Sequence, residues 1–285
     1  MSAPTSKNYR YIRQSGFTPL GEDGQRQIGD STIVICGCGA LGSVLANTLA
    51  RAGVGKLRII DRDYLEWNNL QRQVLYTEKD VAAGIPKAVA AKAHLEEINS
   101  DIKIEAVVSH ISADNIIELV QDADCIVDGT DNFETRFLIN DAAIKLNIPW
   151  IYGGCIGSEG QTMTIIPQQT PCLHCLMQAG PPPPGTTPTC DSAGILGSVI
   201  NVIASIQALE ALKIVSGNAN QISPYLHVFD LWENRVRQVK LDSLLGLKTC
   251  PTCHERDFKW LAAQQGSSTA ILCGRNAVQI NFHNE

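Results

Sequence analysis

The sequence predicts a doubly wound α/β fold with a mostly parallel sheet. Three observations point there. From Ser31 onward, short β-branched apolar runs alternate with longer stretches of helical periodicity. The first run, Thr32 to Cys36, stops on Gly37-Cys38-Gly39-Ala40-Leu41-Gly42, a G-x-G-x-x-G turn. The second, Lys56 to Asp61, ends on an acid nineteen residues after Gly42.

Each element follows from its residues. TIVIC carries no charge, as expected of a parallel strand buried on both faces. Gly39 to Ala52 is rich in small residues and Leu, a helix able to pack close to that strand. KLRIID at 56–61 is the second strand. Pro86 to Asn99 holds good helix formers at helical spacing. Ile102 to Val108 and Cys125 to Asp128 read as strands three and four, with a short helix at 115–120 between them. A helix from about Glu134 to Lys145 leads to a fifth strand, Trp150 to Tyr152. The pattern then changes. Thr162 to Ile166 is a strand stopped by Pro167. Residues 171–193, with Pro171 and the run Pro181 to Pro184, form a loop or crossover. An apolar helix spans 195–215, and strands at 225–231 and 235–241 suit a hairpin. Residues 1–30 read as an arm, with a turn at Gly21-Glu22-Asp23-Gly24.

Composition narrows the function. Across 285 residues, 23 Lys and Arg face 29 Asp and Glu, a net charge of −6 without a basic run. Nucleic acid and anionic membranes are therefore poor partners. The polar start MSAPTSKNYR has no secretory h-region. The most apolar stretch, Ile195 to Leu209, is shorter than a spanning helix, and Asn201 and Gln207 interrupt it. Ten cysteines in such a chain suggest a cytoplasmic protein using metal or thiol chemistry rather than a disulfide framework.

Five motifs carry chemistry. The Gly37–Gly42 turn with Asp61 suits an adenosine nucleotide: glycines let the backbone approach phosphate, and the acid takes ribose hydroxyls. By itself it does not separate NAD or FAD from ATP. Asp63, Asn68-Asn69-Leu70-Gln71-Arg72-Gln73 and Pro86-Lys87 then follow. Hydride transfer has no need of such cations, whereas a triphosphate does. Asp131, in Asp128-Gly129-Thr130-Asp131-Asn132 after strand four, suits either a Mg²⁺ ligand or the N-cap of the next helix. Cys172-x-x-Cys175 and Cys250-x-x-Cys253 fit one tetrahedral Cys₄ zinc site of structural type, with His174 and His254 outside it. Cys190, ahead of the apolar helix, reads equally as an activated thiol or a small buried hydrophobe. Cys36, Cys38, Cys125 and Cys155 read as packing residues.

These motifs divide the chain into an N-terminal arm (1–30), a Rossmann-like nucleotide-binding core (31–170), an integrated segment of crossover loop, apolar helix and hairpin (171–245), and a zinc-tethered tail (246–285).

In order and spacing, Arg10-Tyr11-x-Arg13-Gln14, the Gly37–Gly42 loop, Asn69-Leu70-Gln71-Arg72-Gln73, Pro86-Lys87, Thr130-Asp131-Asn132 and both Cys pairs resemble the ThiF/MoeB/HesA family, bacterial relatives of ubiquitin-activating enzymes. The resemblance runs from about Arg10 to Cys253. It implies an adenylyltransferase using ATP and Mg²⁺, which caps the C-terminal carboxylate of a ubiquitin-like sulfur carrier ending in Gly-Gly and releases pyrophosphate. The nucleotide site would comprise Gly37, Gly39, Gly42, Asp61, Asp63, Asn69, Arg72, Gln73, Lys87 and Asp131. Arg13 would reach the partner subunit's site in a homodimer. Cys190 matches the crossover-loop cysteine that bonds to the carrier in some members and is dispensable in others. A sulfurtransferase is a further implied partner, in thiamine thiazole or molybdopterin synthesis. Three other readings remain at this point: adenylation of a peptide or a modified tRNA base, an NAD-dependent oxidoreductase, and a scaffold without chemistry. The acidic balance argues against the tRNA version.

Overall fold

A computed structural model describes residues 7–182, 190–246, 249–265, 269–272 and 277–280. Two single-turn helices, α1 (Lys7–Arg10) and α2 (Ile12–Ser15), lead into α3 (Gly21–Asp30). The alternating region is β1 (Thr32–Cys36), α4 (Ala40–Ala52), β2 (Lys56–Ile60), α5 (Glu78–Ala83), α6 (Lys87–Ile98), β3 (Lys103–Val107), α7 (Ile116–Val120), β4 (Cys125–Asp128), α8 (Phe133–Leu146) and β5 (Trp150–Ile156). Then come β6 (Glu159–Ile165), α9 (Leu173–Leu176), α10 (Cys190–Ala193), α11 (Gly197–Val215), β7 (Tyr225–Asp230) and β8 (Arg235–Lys240). A separate antiparallel pair, β9 (Thr269–Leu272) and β10 (Ala277–Ile280), lies near the C-terminus.

The main sheet has the order β3-β2-β1-β4-β5-β6-β7-β8. The first five strands are parallel, and β6, β7 and β8 extend them antiparallel. Strand order reverses between β1 and β4, which opens a crevice at their carboxyl ends where such sheets bind ligands. Alternate strand residues face two cores. Ile33, Ile35, Leu57, Ile59, Val127 and Ile151 pack under α4, α6 and α11. Val34, Cys36, Ile60, Ile126, Trp150 and Tyr152 pack under α7 and α8.

By length and composition, α11 is apolar enough to cross a membrane. Here it lies on the sheet, and its polar residues are part of the reason it fits. Gln207 is fully buried and donates to the carbonyls of Asp128 (2.9 Å) and Ile151 (3.2 Å). Glu210, also buried, accepts from Thr164 Oγ1 and Ser223 N at 2.9 Å each. Buried polar groups with partners cost little, and of these two side chains Gln207 Oε1 is the one atom that has none among the described residues.

Residues 21–30 depart from the expectation of an arm with a turn at 21–24. They form helix α3, because Ile28 is fully buried and Gly24 lies against Leu20 and Ser216. The fifth strand is seven residues long, and sequence reading also passed over α5, which a Thr77/Asp80 capping box starts.

Candidate active site

The glycine loop leaves β1 and enters α4. Gly37 has φ +87°, the left-handed region that favours glycine. Gly42 packs backbone on backbone: a Cβ there would lie 2.0 Å from the Gly37 carbonyl oxygen. Gly39 is different, since its nearest neighbour would be Gln73 Nε2 at 3.8 Å. Gly39 also occupies the N-cap of α4 without a side-chain acceptor, so the first N–H groups of that helix face the loop uncapped.

Asp61 follows β2 and is tied to this loop. Its Oδ2 accepts from Cys38 N (2.6 Å) and its Oδ1 from Asp63 N (2.7 Å). Burial pushes its carboxyl upward, against the pull of Lys87 and the two N–H donors. Lys87 opens α6. It is buried, and its Nζ lies 3.3 Å from Asp63 Oδ2. The Tyr76 hydroxyl donates to the Cys38 carbonyl (2.7 Å), with the Lys87 carbonyl 3.3 Å away, and so joins the loop to the start of α6. Asn69 is buried in the 3₁₀ turn Trp67–Asn69, where its side chain accepts from Glu66 N. Arg72 is half-buried and donates to the Asn68 carbonyl at 2.6 Å. Gln73 is buried beside Gly39, and its Oε1 has no partner among the described residues.

The second wall comes from β4. Gly129 N donates to the Cys36 carbonyl (2.8 Å), and a Cβ at Gly37 would lie 2.8 Å from the Gly129 oxygen, so the two loops touch. Asp131 is exposed on this second loop. The N-cap of α8 is Asn132, whose side chain accepts from Thr135 N at 2.8 Å. The alternative reading of Asp131 as that cap is therefore corrected: the neighbouring residue fills it. Behind the loop, buried Asp128 pairs with buried Arg136 (3.1 Å). Burial raises the Asp128 carboxyl and Arg136 opposes that rise.

Of the other predicted residues, Arg13 lies apart from this cluster and Cys190 has no described side chain. Arg13 is exposed in α2. Its neighbour Gln14 donates to Ala52 O, at the C-terminal end of α4. The glycine loop is at the other end of that 13-residue helix, about 20 Å away. Cys190 starts α10, but its side chain lies outside the described residues, as do residues 183–189 of the crossover. The crossover's exit does meet the site: a Cβ at Gly197 would lie 3.1 Å from the Gln71 carbonyl.

The four motif cysteines gather elsewhere, beneath α8. Their sulfurs all lie within 4.8 Å of one another, at 3.8 Å (Cys172–Cys175), 3.6 Å (Cys172–Cys250) and 3.3 Å (Cys175–Cys253). Tetrahedral zinc with Zn–S of about 2.3 Å requires S···S of about 3.8 Å, so the set fits. The thiols of Cys172 and Cys175 push Cys250 down, while Cys175 and Cys250 push Cys172 up, as expected of sulfurs sharing protons that a cation could replace. His174 stays outside, 3.2 Å from Thr252 Oγ1. Thr252 Oγ1 and Trp260 N both donate to Asp141 of α8, at 3.0 Å each.

Residues 11–250 match the ThiF family. The chain belongs to that family. It is 48% identical over 271 residues to the sulfur carrier protein ThiS adenylyltransferase of Bacillus subtilis (strain 168), covering 95% of this chain and 79% of that one. It is 35% identical over 249 residues to the sulfur carrier protein adenylyltransferase of Thermus thermophilus, covering 86% and 90%. Identity is 38% over 232 residues to the adenylyltransferase and sulfurtransferase MOCS3 of Aedes aegypti; the match covers 81% of this chain but only about half (52%) of that relative. A crystal structure of Escherichia coli MccB with ATP superposes with a TM-score of 0.73 at 23% identity, covering 87% of this chain and 75% of that one. That last likeness shows the fold: this ThiF-family chain shares the α/β architecture with its antiparallel extension.

Proposed function

We propose that this protein is an adenylyltransferase that caps the C-terminal carboxylate of a ubiquitin-like sulfur carrier with AMP, releasing pyrophosphate, before a thiocarboxylate is made. One observation carries the reading: the glycine loop and the Asp131 loop touch at the switch point, with Asp61, Asp63 and Lys87 hydrogen-bonded around them. The names of the Bacillus subtilis and Thermus thermophilus relatives support the carrier as substrate.

In this reading Asp61 orients the ribose, and the α4 N-terminus and Gly39 receive phosphate oxygens. Asn69, Arg72, Gln73 and Lys87 bind the phosphate chain; the Gln73 atom nearest Gly39 is Nε2, a donor suited to a phosphate oxygen. Lys87 reaches phosphate by exchanging or sharing Asp63. Asp131 would hold Mg²⁺ together with the phosphates, since an exposed carboxylate beside an anion site is a suitable donor. When bound, Mg²⁺ neutralises charge on the triphosphate. The nucleophile is already a carboxylate, so the protein supplies alignment and charge neutralisation rather than a general base. Arg13 is too far from the loop of its own chain and serves a partner subunit's site in a homodimer. Cys190 follows the adenylation step as a thiol available to the activated carrier.

Zinc at Cys172, Cys175, Cys250 and Cys253 would tie the tail to α9 at the start of the crossover as a closed structural site. The protein works in the cytoplasm, a reducing compartment that keeps cysteine sulfurs available to a metal. A sulfurtransferase partner supplies sulfur; the paired activities in the name of the MOCS3 relative support this. The test is exchange of labelled pyrophosphate into ATP. Exchange should require Mg²⁺ and a carrier ending in Gly-Gly, and a carrier lacking its last glycine should give none. Exchange with no carrier, or none with any carrier, would reject the proposal.

A further inference from the structure

A metal ligand has to be held within about half an ångström of its working position. Asp131 is exposed, and its own side chain is met only by the Asn132 amide at 3.5 Å among the described hydrogen bonds. Its backbone neighbours, however, are fixed on both sides. Asn132 is anchored as the cap of α8. Thr130 gives its N–H and hydroxyl to Asp128 Oδ1, at 2.8 and 2.7 Å. The Thr130 carbonyl accepts from Arg136 NH2 at 2.8 Å. That carbonyl belongs to the planar peptide group that enters Asp131, so Arg136 sets the tilt of that plane.

Arg136 is itself locked. Its Nε donates to Asp128 Oδ2 (3.1 Å), and NH2 also reaches the Gly153 carbonyl (3.0 Å). Its guanidinium lies 5.3 Å from the Phe133 ring centre and 5.4 Å from that of Tyr152. From the other side of the sheet, Gln207 holds the Asp128 carbonyl. Burial would pull Arg136 down, but Asp128, Tyr152 and Asp131 together more than offset it, and the guanidinium stays charged.

We infer that Arg136 is a positioning residue for the metal of the adenylation reaction: it fixes the Thr130–Asp131 peptide and thereby aims the Asp131 carboxylate. The inference rests on the proposed function. A lysine could keep the charge pair with Asp128. It could not span the Asp128 carboxylate and two carbonyls at once, because an ammonium lacks the planar fork.

The test compares R136K with the double variant D128N/R136Q, which removes the buried carboxylate together with its partner and so avoids an unpaired charge. Binding of Mn²⁺, as a probe for Mg²⁺, is measured by electron paramagnetic resonance with α,β-methylene-ATP present. Metal-free ATP affinity is measured by calorimetry, and folding by thermal unfolding. Mn²⁺ affinity should fall about 10- to 100-fold in both variants, the usual range for losing a group that orients a metal ligand. Metal-free ATP affinity should stay within about threefold, and the Mg²⁺ requirement of exchange should rise in parallel with the Mn²⁺ loss. Unchanged Mn²⁺ affinity in R136K, with only the melting temperature lowered, would overturn the inference and leave Arg136 a packing residue. D131A separates the layers: if it too binds Mn²⁺ normally, the metal assignment of Asp131 fails, and the inference falls with it.

Discussion

A single methyl group at Gly42, set against one at Gly39, separates packing from ligand approach within the same loop. At Gly42 the new Cβ would sit 2.0 Å from the Gly37 oxygen and 2.8 Å from its carbonyl carbon, both backbone atoms, where ordinary contact begins near 3.4 Å. The start of α4 must therefore withdraw by about 1.4 Å. Overpacking of that kind costs about 1–3 kcal/mol. A displacement of about 1 Å at a catalytic loop costs on the order of 100-fold in rate. At Gly39 the Cβ would meet only Gln73 Nε2, at 3.8 Å. G39A should therefore stay within about 1 kcal/mol of the parent, while its methyl stands where phosphate is to approach and raises the KM for ATP about tenfold or more. Urea unfolding and pyrophosphate exchange at varied ATP read both effects. If G42A matched the parent in stability and exchange, or G39A unfolded as readily as G42A, the assignment of one glycine to packing and the other to the ligand would be wrong.

Metal analysis should find one zinc per chain bound by Cys172, Cys175, Cys250 and Cys253, and its removal should cost about 2 kcal/mol or more, some 4–8 °C in melting temperature; clearly less than one zinc in well-folded protein rejects the site. Mixing R13A subunits with D131A subunits should restore part of the activity that each lacks alone, because one hybrid site keeps both groups; no rescue would place Arg13 outside the partner's site. Burial pushes Asp141 up from 3.8 to about 6. The folded protein thus holds a proton that the unfolded chain has released between about pH 4 and 6, so this group's contribution to stability falls as pH rises through that window. From pH 4 to 7, D141N should gain on the parent by up to about 3 kcal/mol, and parallel stability curves for the two proteins would contradict this.

Much of the molecule was legible because local pattern and final environment agree. TIVIC is apolar throughout and becomes a strand buried at its last four positions. The glycine loop, Asp61 and Lys87 stand at element ends, where chain order alone places them at the switch point. The paired C-x-x-C spacing announced the sulfur cluster. What stayed hidden depends on distant partners. Residues 1–30 read as an arm with a turn at 21–24, from Gly21-Glu22-Asp23-Gly24, yet burial of Ile28 makes a helix of 21–30. From sequence the fifth strand reads as Trp150 to Tyr152, with Gly153 and Gly154 following it. They are strand residues whose missing side chains leave room for Gln207 at one and for Tyr152 and Arg136 at the other. Arg136 carried a faint signal, a lone arginine ahead of the apolar run Phe137-Leu138-Ile139, which asks for a buried partner. Tyr76, Asp141 and Gln207 carried no such signal, since each acts through residues more than ten positions away.

The most direct measurement is the intact mass of a purified Gly-Gly carrier after incubation with this protein, ATP and Mg²⁺. The carrier should gain one AMP, lost again on mild hydroxylamine treatment as an acyl phosphate requires, and D131A should leave the carrier unchanged. A carrier of unaltered mass under conditions where the protein binds ATP would contradict adenylation as its reaction.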